Sequence, residues 1–377
     1  MIPGNSVPED YSAGEDASDL DAMMLEPRTG QLVKLPSESD SAIEISIPEG
    51  DAGYSFATEH LGEAEPASML TSDRLLTERA IRRQPPQGGL RPLIYKASFG
   101  RINLGDSRRV RLEKALNSRI AAKLGGDTKF VPVLTRKGGV GKTTITTLLG
   151  MAMALQREDR VIAIDANPDR GTLAERVKRG TAKTVRDVVL RAPAITGFQS
   201  FSEYVSRDST RLDVLASEVD PNMSEAFDEN DYNIVADVIS RYYSVCVTDC
   251  GTGIVHSVMR AILGRAHSLV IVSGGSVDEA RLASETLTWL EANGYGHLVR
   301  NAVVALNTAT YGTDLVKLDE IESHFRSRVR ALVRIPYDPQ LAAGSEIRFE
   351  RLHPSTQQAA RDLAALVVDG LATDSTL

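Results

Sequence analysis

The sequence predicts an α/β domain built on a mostly parallel, doubly wound sheet with helices on both faces, and two observations carry that expectation. From residue 130 onward, short runs rich in apolar and β-branched residues recur, each bounded by turn residues: "FVPVL", "RVIAID", "LDVLAS", "SVCVTD", "SLVIVSG", "AVVALN" and "RALVRIP". Between several of them lie segments long enough for a crossover helix, at 143–157, 255–264, 277–293 and 314–326. In such folds ligands collect outside the carboxyl ends of the strands.

Length and composition set the frame for this domain. The 377 residues, 42% of them hydrophobic, can bury one large core or two ordinary ones. Only two cysteines occur, Cys246 and Cys250, inside one apolar run. Two thiols make neither a disulfide framework nor a metal site, and they read as small buried side chains in a reducing compartment. There is no continuous apolar stretch of membrane-spanning length, and "MIPGNSVPEDYSAGEDASDL" has neither the basic nor the apolar segment of a secretory signal. A soluble, cytoplasmic protein without membrane insertion is expected.

The net charge of -8 is unevenly spread. Residues 1–70 hold fifteen acidic and two basic side chains, whereas 71–130 hold five acidic and fourteen basic. Up to about residue 84 the chain is rich in Glu, Asp, Ser, Pro and Gly without a sustained helical period, the composition of a disordered extension. Residues 85–129 read as a basic linker and helix: Pro-Pro and Gly-Gly suit an extended start, and "DSRRVRLEKALNSRIAAKL" then offers Asp106 or Ser107 as N-cap. Leu112, Leu116, Ile120 and Leu124 fall four apart, so this helix docks one apolar stripe on the domain that follows, residues 130–377. A membrane-surface or nucleic-acid helix is the competing reading, against which stands the lack of Trp or Phe in the stripe.

Residues 135–144, "TRKGGVGKTT", come close to the phosphate-binding pattern G-x-x-x-x-G-K-[ST]. Gly141, Lys142 and Thr143 match, but the first glycine of the pattern falls on Arg136, and an additional lysine, Lys137, precedes Gly138. The context is strand, loop, helix: "FVPVL" runs in and "KTTITTLLGMAMALQ" runs out. Gly138, Gly139 and Gly141, with Val140 among them, let backbone amides close around phosphate oxygens, and Thr144 continues the loop into the helix. Lys142 is expected to reach the β- and γ-phosphates of ATP, and Thr143 to ligate Mg²⁺.

The segment "KGGVGKTT" resembles the deviant Walker A loop of the ParA and MinD class of P-loop ATPases. That resemblance implies that Lys137 reaches across a homodimer interface to the partner's nucleotide. "VIAIDANPDRGTL" looks like the family's strand ending in Asp-x-Asp, with Asp165 near the metal. The second acid, which positions or activates the attacking water, falls on Asn167, which can orient a water but cannot take its proton. Asp169 is the alternative acid. "SVCVTDCGTG" resembles the Walker B strand, with Asp249 on Mg²⁺ and Gly251 and Gly253 in a switch loop. "VVALNT" resembles the strand whose asparagine, here Asn307, recognises adenine, and "IPYDPQ" places Pro336 and Asp338 beside the base. In "SGGSVDEARLASETLTWL", Ser276, Asp278 and Glu279 face a dimer partner.

The stretches "PPQGGLRPLIYKASFGRINLG", "IDANPD" and "TDCGTGIVHSVM" look closer to one branch, the actinobacterial MinD-like proteins of type VII (ESX) secretion, including EspI-like proteins. The resemblance thus implies a weak ATPase, a switch that dimerises on ATP and regulates a secretion-associated protein partner. Two alternatives stand beside it. One is a partition-type ATPase binding DNA through Arg326, Arg328, Arg330, Arg334, Arg348 and Arg351; the other is a nucleotide-binding scaffold that does not hydrolyse, which Asn167 invites. The end of the chain, "STQQAARDLAALVVDGLATDSTL", has Arg361 against Asp362, Asp369 and Asp374, so it is expected to dock on the core rather than on a membrane.

Overall fold

The computed structural model describes residues 106–167, 171–218, 227–308 and 317–374. The acidic extension, the first part of the basic segment and Asp169 lie outside the described residues. Within them, eight strands form one sheet in the order β3-β4-β2-β5-β1-β6-β7-β8. They are β1 Lys129–Leu134, β2 Val161–Ala166, β3 Ser206–Arg207, β4 Asp213–Leu215, β5 Val245–Cys250, β6 Val270–Gly274, β7 Val303–Asn307 and β8 Ala331–Ile335. All neighbours pair in parallel except β3 with β4. The seven apolar runs are all strands. The eighth, β3, is a two-residue antiparallel edge with no apolar side chain to announce it.

The near-continuous apolar character of these runs has a direct cause, since both faces of the sheet are covered. Alternate residues of each strand enter opposite cores. Phe130, Ile162, Ile164, Cys246 and Ile271 join one core. Val131, Val133, Ala163, Val245, Val247 and Val272 join the other. The first core is closed by helices that include α5 Glu229–Ile239, α6 Ser257–Arg265 and α7 Val277–Ala292, after the shorter α3 Val185–Arg191 and α4 Phe198–Ser202. The second is closed by α2 Lys142–Gln156 and the C-terminal α11 Pro354–Asp374; α8 Gly296–Asn301, α9 Leu318–Arg326 and α10 Pro339–Ala342 lie between α7 and α11 in the chain. Cys246 and Cys250 are buried free thiols on β5, and burial pushes both above the usual thiol range, which disfavours the thiolate.

The helix before the sheet, α1 Arg108–Ile120, starts at Ser107, whose hydroxyl accepts from the Val110 amide at 3.3 Å. Its apolar stripe is buried only in its second half: Leu116 and Ile120 are covered, while Leu112 is 62% exposed. It docks on α11, with Arg119 on Asp369 at 2.5 Å and Arg361 on Glu113 at 3.2 Å. Fully buried Arg157 finishes the junction by donating to the Ile120 and Ala122 carbonyls, which the helix end leaves without intrahelical donors. The C-terminal helix is likewise a core element, since Ala360, Leu363, Ala364, Val367, Val368 and Leu371 are buried. No helix among the described residues is long and apolar enough to cross a membrane.

Candidate nucleotide-binding site

Strand β1 lies at the centre of the sheet, with β5 on one side and β6 on the other. The chain leaves β1 toward β2 on one side, returns through β5, and crosses over to β6 on the other. Such a reversal opens a crevice beyond the carboxyl end of the central strand, and the loop after β1 falls there.

That loop ends on Gly141, which caps α2 with φ 102°, a left-handed conformation that favours glycine. A side chain at 141 would also collide with the Asn307 amide. Gly139, with φ 78°, makes the same demand two residues earlier. Helix α2 is buried almost all round, which fixes its amino end and therefore the direction of its free amides. Thr147 holds the first turn by donating to the Thr143 carbonyl at 2.7 Å.

A cavity of about 630 Å³ opens above this loop. Gly138, Gly139, Gly141, Lys142, Thr143 and Thr144 line one part of it, and Asn167, Asn307, Pro336 and Asp338 belong to the same wall. Most of the wall thus consists of residues whose motifs mark them in the sequence. Val140 is buried behind the loop, and its carbonyl accepts from Asn307 Nδ2 at 2.8 Å. The Asn307 amide thus ties β7 to the phosphate-type loop. Asp338 caps α10: its carboxylate accepts from the Gln340 amide at 3.0 Å and the His353 amide at 2.8 Å, so it shapes the wall with both oxygens already engaged.

Beneath the loop, Asp165 and Asp249 are the next-to-last residues of neighbouring strands and lie in direct register. Both are buried. Thr143 Oγ1 donates to Asp249 Oδ2 at 2.7 Å, whereas Asp249 Oδ1 is buried without a hydrogen-bond partner. Asp165 accepts from the Leu173 amide at 3.0 Å and the Asn167 amide at 3.2 Å. Burial raises both carboxyls above the usual range, offset at Asp165 by those amides and deepened at Asp249 by the Asp165 charge. Two adjacent buried carboxylates, an unspent acceptor oxygen and a hydroxyl form an all-oxygen donor set. That set fits a hard divalent cation such as Mg²⁺, which takes one or two carboxylates and completes its shell with water and phosphate.

Lys137 lies apart from the cavity wall. Its ammonium binds Asp278 on the first turn of α7, Nζ to Oδ2 at 2.7 Å, and the pair raises the lysine and lowers the carboxyl. Arg136 leans on Glu285 of the same helix at 3.9 Å. The helix itself starts at a capping box formed by Ser276 and Glu279.

Several wall residues escaped the sequence reading: Thr172, Arg176, Cys250, Thr252, Leu341, Ala342 and Gly344. Thr172 and Arg176 follow the Asp165 strand closely, which is the one signal that could have raised them. The arginines proposed for DNA are mostly committed within the fold. Arg328 binds Glu291 at 2.7 Å, Arg334 binds Asp319 and Glu322, Arg326 leans on Glu322 at 3.7 Å, and Arg348 on Glu346 at 3.1 Å. Arg330 donates to the Asn301 side chain at 3.0 Å and to the Leu366 carbonyl.

A parallel α/β sheet with a glycine-rich loop and a helix amino end at its switch point defines a nucleotide-binding domain. Residues 131–347 match the CobQ/CobB/MinD/ParA nucleotide binding domain, and the chain belongs to that family. It is 34% identical over 285 residues to the ESX-1 secretion-associated protein EspI of Mycobacterium tuberculosis, a match covering 75% of this chain. The matched region spans 42% of the length of that relative. Among solved structures, a ParA family ATPase from Chlorobium tepidum TLS superposes with a TM-score of 0.54 at 20% identity, covering 63% of this chain and 97% of its own. The septum site-determining protein MinD of Pyrococcus horikoshii OT3, complexed with Mg-ADP, superposes with a TM-score of 0.50 at 18% identity, covering 63% and 94%. At these identities the structures show a shared fold.

Proposed function

We propose that the chain is an ATP-dependent switch, which binds Mg·ATP in the cavity above β1 and pairs with a second copy in the ATP state. The observation that carries the nucleotide reading is the pairing of that glycine loop with the partnerless Asp249 Oδ1 beneath it. Backbone amides from Gly138 to Thr144 and the Lys142 ammonium hold the phosphates. Thr143 and Asp249, with Asp165 beside them, hold Mg²⁺, which supplies neutralisation of phosphate charge when bound. Asn307, Pro336 and Asp338 form the wall for the base. The MinD of similar fold was solved with Mg-ADP, which is what hydrolysis of the Mg·ATP proposed here would leave in the site.

The dimer reading rests on Lys137. A lysine beside the phosphate loop that turns outward to Asp278 contributes nothing to its own cavity, yet it is placed to deliver charge to a nucleotide on a docking copy. In the ATP dimer Lys137 exchanges Asp278 for the partner's phosphates, and loss of the γ-phosphate weakens that exchange. Asn167 lines the cavity where a water-orienting group belongs and cannot serve as a base, so hydrolysis is slow. Likeness to EspI supports a secretion-associated protein as the regulated partner. DNA binding is the weaker reading, because arginines paired to internal carboxylates and carbonyls offer a phosphate backbone little free charge.

Sedimentation velocity of the full chain with ADP and then with ATP tests the switch, alongside Lys137→Ala. Wild type moves from monomer to dimer only with ATP, and the variant stays monomeric. An unchanged mass in both nucleotides would leave the trans-lysine without a basis.

A further inference from the structure

Arg176 is a charged side chain in the cavity wall, two of whose guanidinium nitrogens are buried without a hydrogen-bond partner. It ends a 3₁₀ turn, Leu173–Arg176, that is pinned at its start by the Leu173 amide on Asp165 and at its end by the Ile347 amide on the Arg176 carbonyl, at 2.8 Å. Its backbone is therefore fixed from two sides. Its guanidinium Nε and Nη1 are buried and have no hydrogen-bond partner. A guanidinium stays charged at any working pH, and holding its N–H groups out of water without acceptors is costly. Arg328, Arg334 and Arg348 meet carboxylates on their own chain, whereas these two nitrogens, in the wall of a ligand-sized cavity, meet none.

Its position decides which part of a ligand it meets. Thr172 Oγ1 lies 3.5 Å from Thr143 Oγ1, so the 3₁₀ turn starts beside the metal and phosphate region. Four residues at about 2 Å rise each carry the chain on by roughly 8 Å before Arg176. There it faces the segment after α10: Nη1 would stand 3.4 Å from a Cβ on Gly344, whose φ of 67° already favours glycine. Leu341, Ala342 and Pro336 belong to the same cavity wall. The phosphates have the loop amides and Lys142; an apolar slot rimmed by one planar donor group suits a nucleoside.

Resting on the nucleotide reading above, we infer that Arg176 is a nucleoside-contacting residue, donating to an acceptor of the base or ribose of the bound nucleotide. Gly344 leaves the space in which the guanidinium lies. Because the guanidinium donates and never accepts, the contact selects for a ring nitrogen, carbonyl or sugar oxygen at that point.

The test measures binding of ATP and of inorganic tripolyphosphate, each with Mg²⁺, to the full chain as wild type, Arg176→Met and Arg176→Lys, with a thermal melt of each to confirm folding. Arg176→Met weakens ATP about tenfold while tripolyphosphate stays within about twofold. Arg176→Lys keeps the charge without the planar fork and also loses ATP affinity, so it carries the test should the methionine variant not fold. Equal losses for both ligands would move Arg176 onto the phosphates and overturn the nucleoside assignment. An unchanged ATP affinity in the folded variants would remove the contact altogether. Wild type that binds neither ligand would instead overturn the nucleotide reading, and this inference with it.

Discussion

Lys137 Nζ and Asp278 Oδ2 stand 2.7 Å apart, joining the phosphate-type loop to the first turn of α7 across 141 residues of sequence. Asp278 also sits where a helix amino end favours negative charge, so the carboxylate is held by two positive influences at once. The pair holds the lysine on its own chain. If the ATP dimer uses this lysine in trans, the two states compete for one ammonium. Asp278→Ala should then raise the dimer fraction in ATP several-fold, as befits release from a solvent-exposed pair. Lys137→Ala abolishes the dimer. Equilibrium sedimentation at a fixed ATP concentration reads both, and an unaltered dimer fraction in Asp278→Ala would show that the pair does not restrain the switch.

Asn167 raises a separate expectation for turnover. Its backbone amide donates to Asp165, which places the side chain at the cavity wall. An amide there orients water without accepting its proton, and a well-placed general base is commonly worth a hundredfold or more, on the order of 10²–10⁴. Phosphate release from Asn167→Asp should therefore exceed wild type by at least about tenfold. A rise of less than about twofold means that the amide does not limit the reaction.

These two residues also show what a linear reading can reach. The strands were legible because a sheet covered on both faces concentrates Val, Ile and Leu into short runs, as in "FVPVL" and "SLVIVSG"; two-residue β3, with only Ser206 and Arg207, leaves no such trace. The glycine loop was legible because its φ angles and close approaches demand glycine locally. Arg176 was not, since its significance comes from Gly344 and Ile347, far along the chain, and from partners it lacks. The same holds for Asp338, whose place beside the cavity was predicted but whose oxygens are occupied by the Gln340 and His353 amides. Spacing identifies which residues gather; it does not report which of their atoms are already bonded.

The carboxylate pair Asp165 and Asp249 makes a prediction about the cation. Without a metal, the two acids repel across adjacent strands and one oxygen of Asp249 has no donor. Asp249→Asn should stabilise the metal-free protein by about 1 kcal/mol or more, an increase in Tm of roughly 2–4 °C for a domain of this size. It should also remove the gain in ATP affinity that Mg²⁺ brings, while affinity in excess EDTA is unchanged. Calorimetric titration with and without Mg²⁺ measures the second effect and a thermal melt the first. A variant that still gains affinity from Mg²⁺ would place the cation elsewhere.

The last prediction separates a docked α1 from a free amphipathic one. Ile120 is fully buried between α1, α2 and α11, whereas Leu112, two turns earlier on the same nominal stripe, is 62% exposed. Removing a buried branched side chain costs transfer energy and leaves a cavity, about 2–5 kcal/mol for Ile to Ala. Truncating an exposed one costs little, within about 0.5 kcal/mol. Urea unfolding should therefore show a clear loss for Ile120→Ala and almost none for Leu112→Ala, with the same slope against denaturant in both. If α1 were held loosely, for a membrane or nucleic acid to bind, both substitutions would be neutral. The Arg157 bonds to the Ile120 and Ala122 carbonyls give an independent check, because Arg157→Met leaves two carbonyls at the helix end unpaired. That variant should lose stability together with Ile120→Ala by less than the sum of the two single losses, since both act on the same junction.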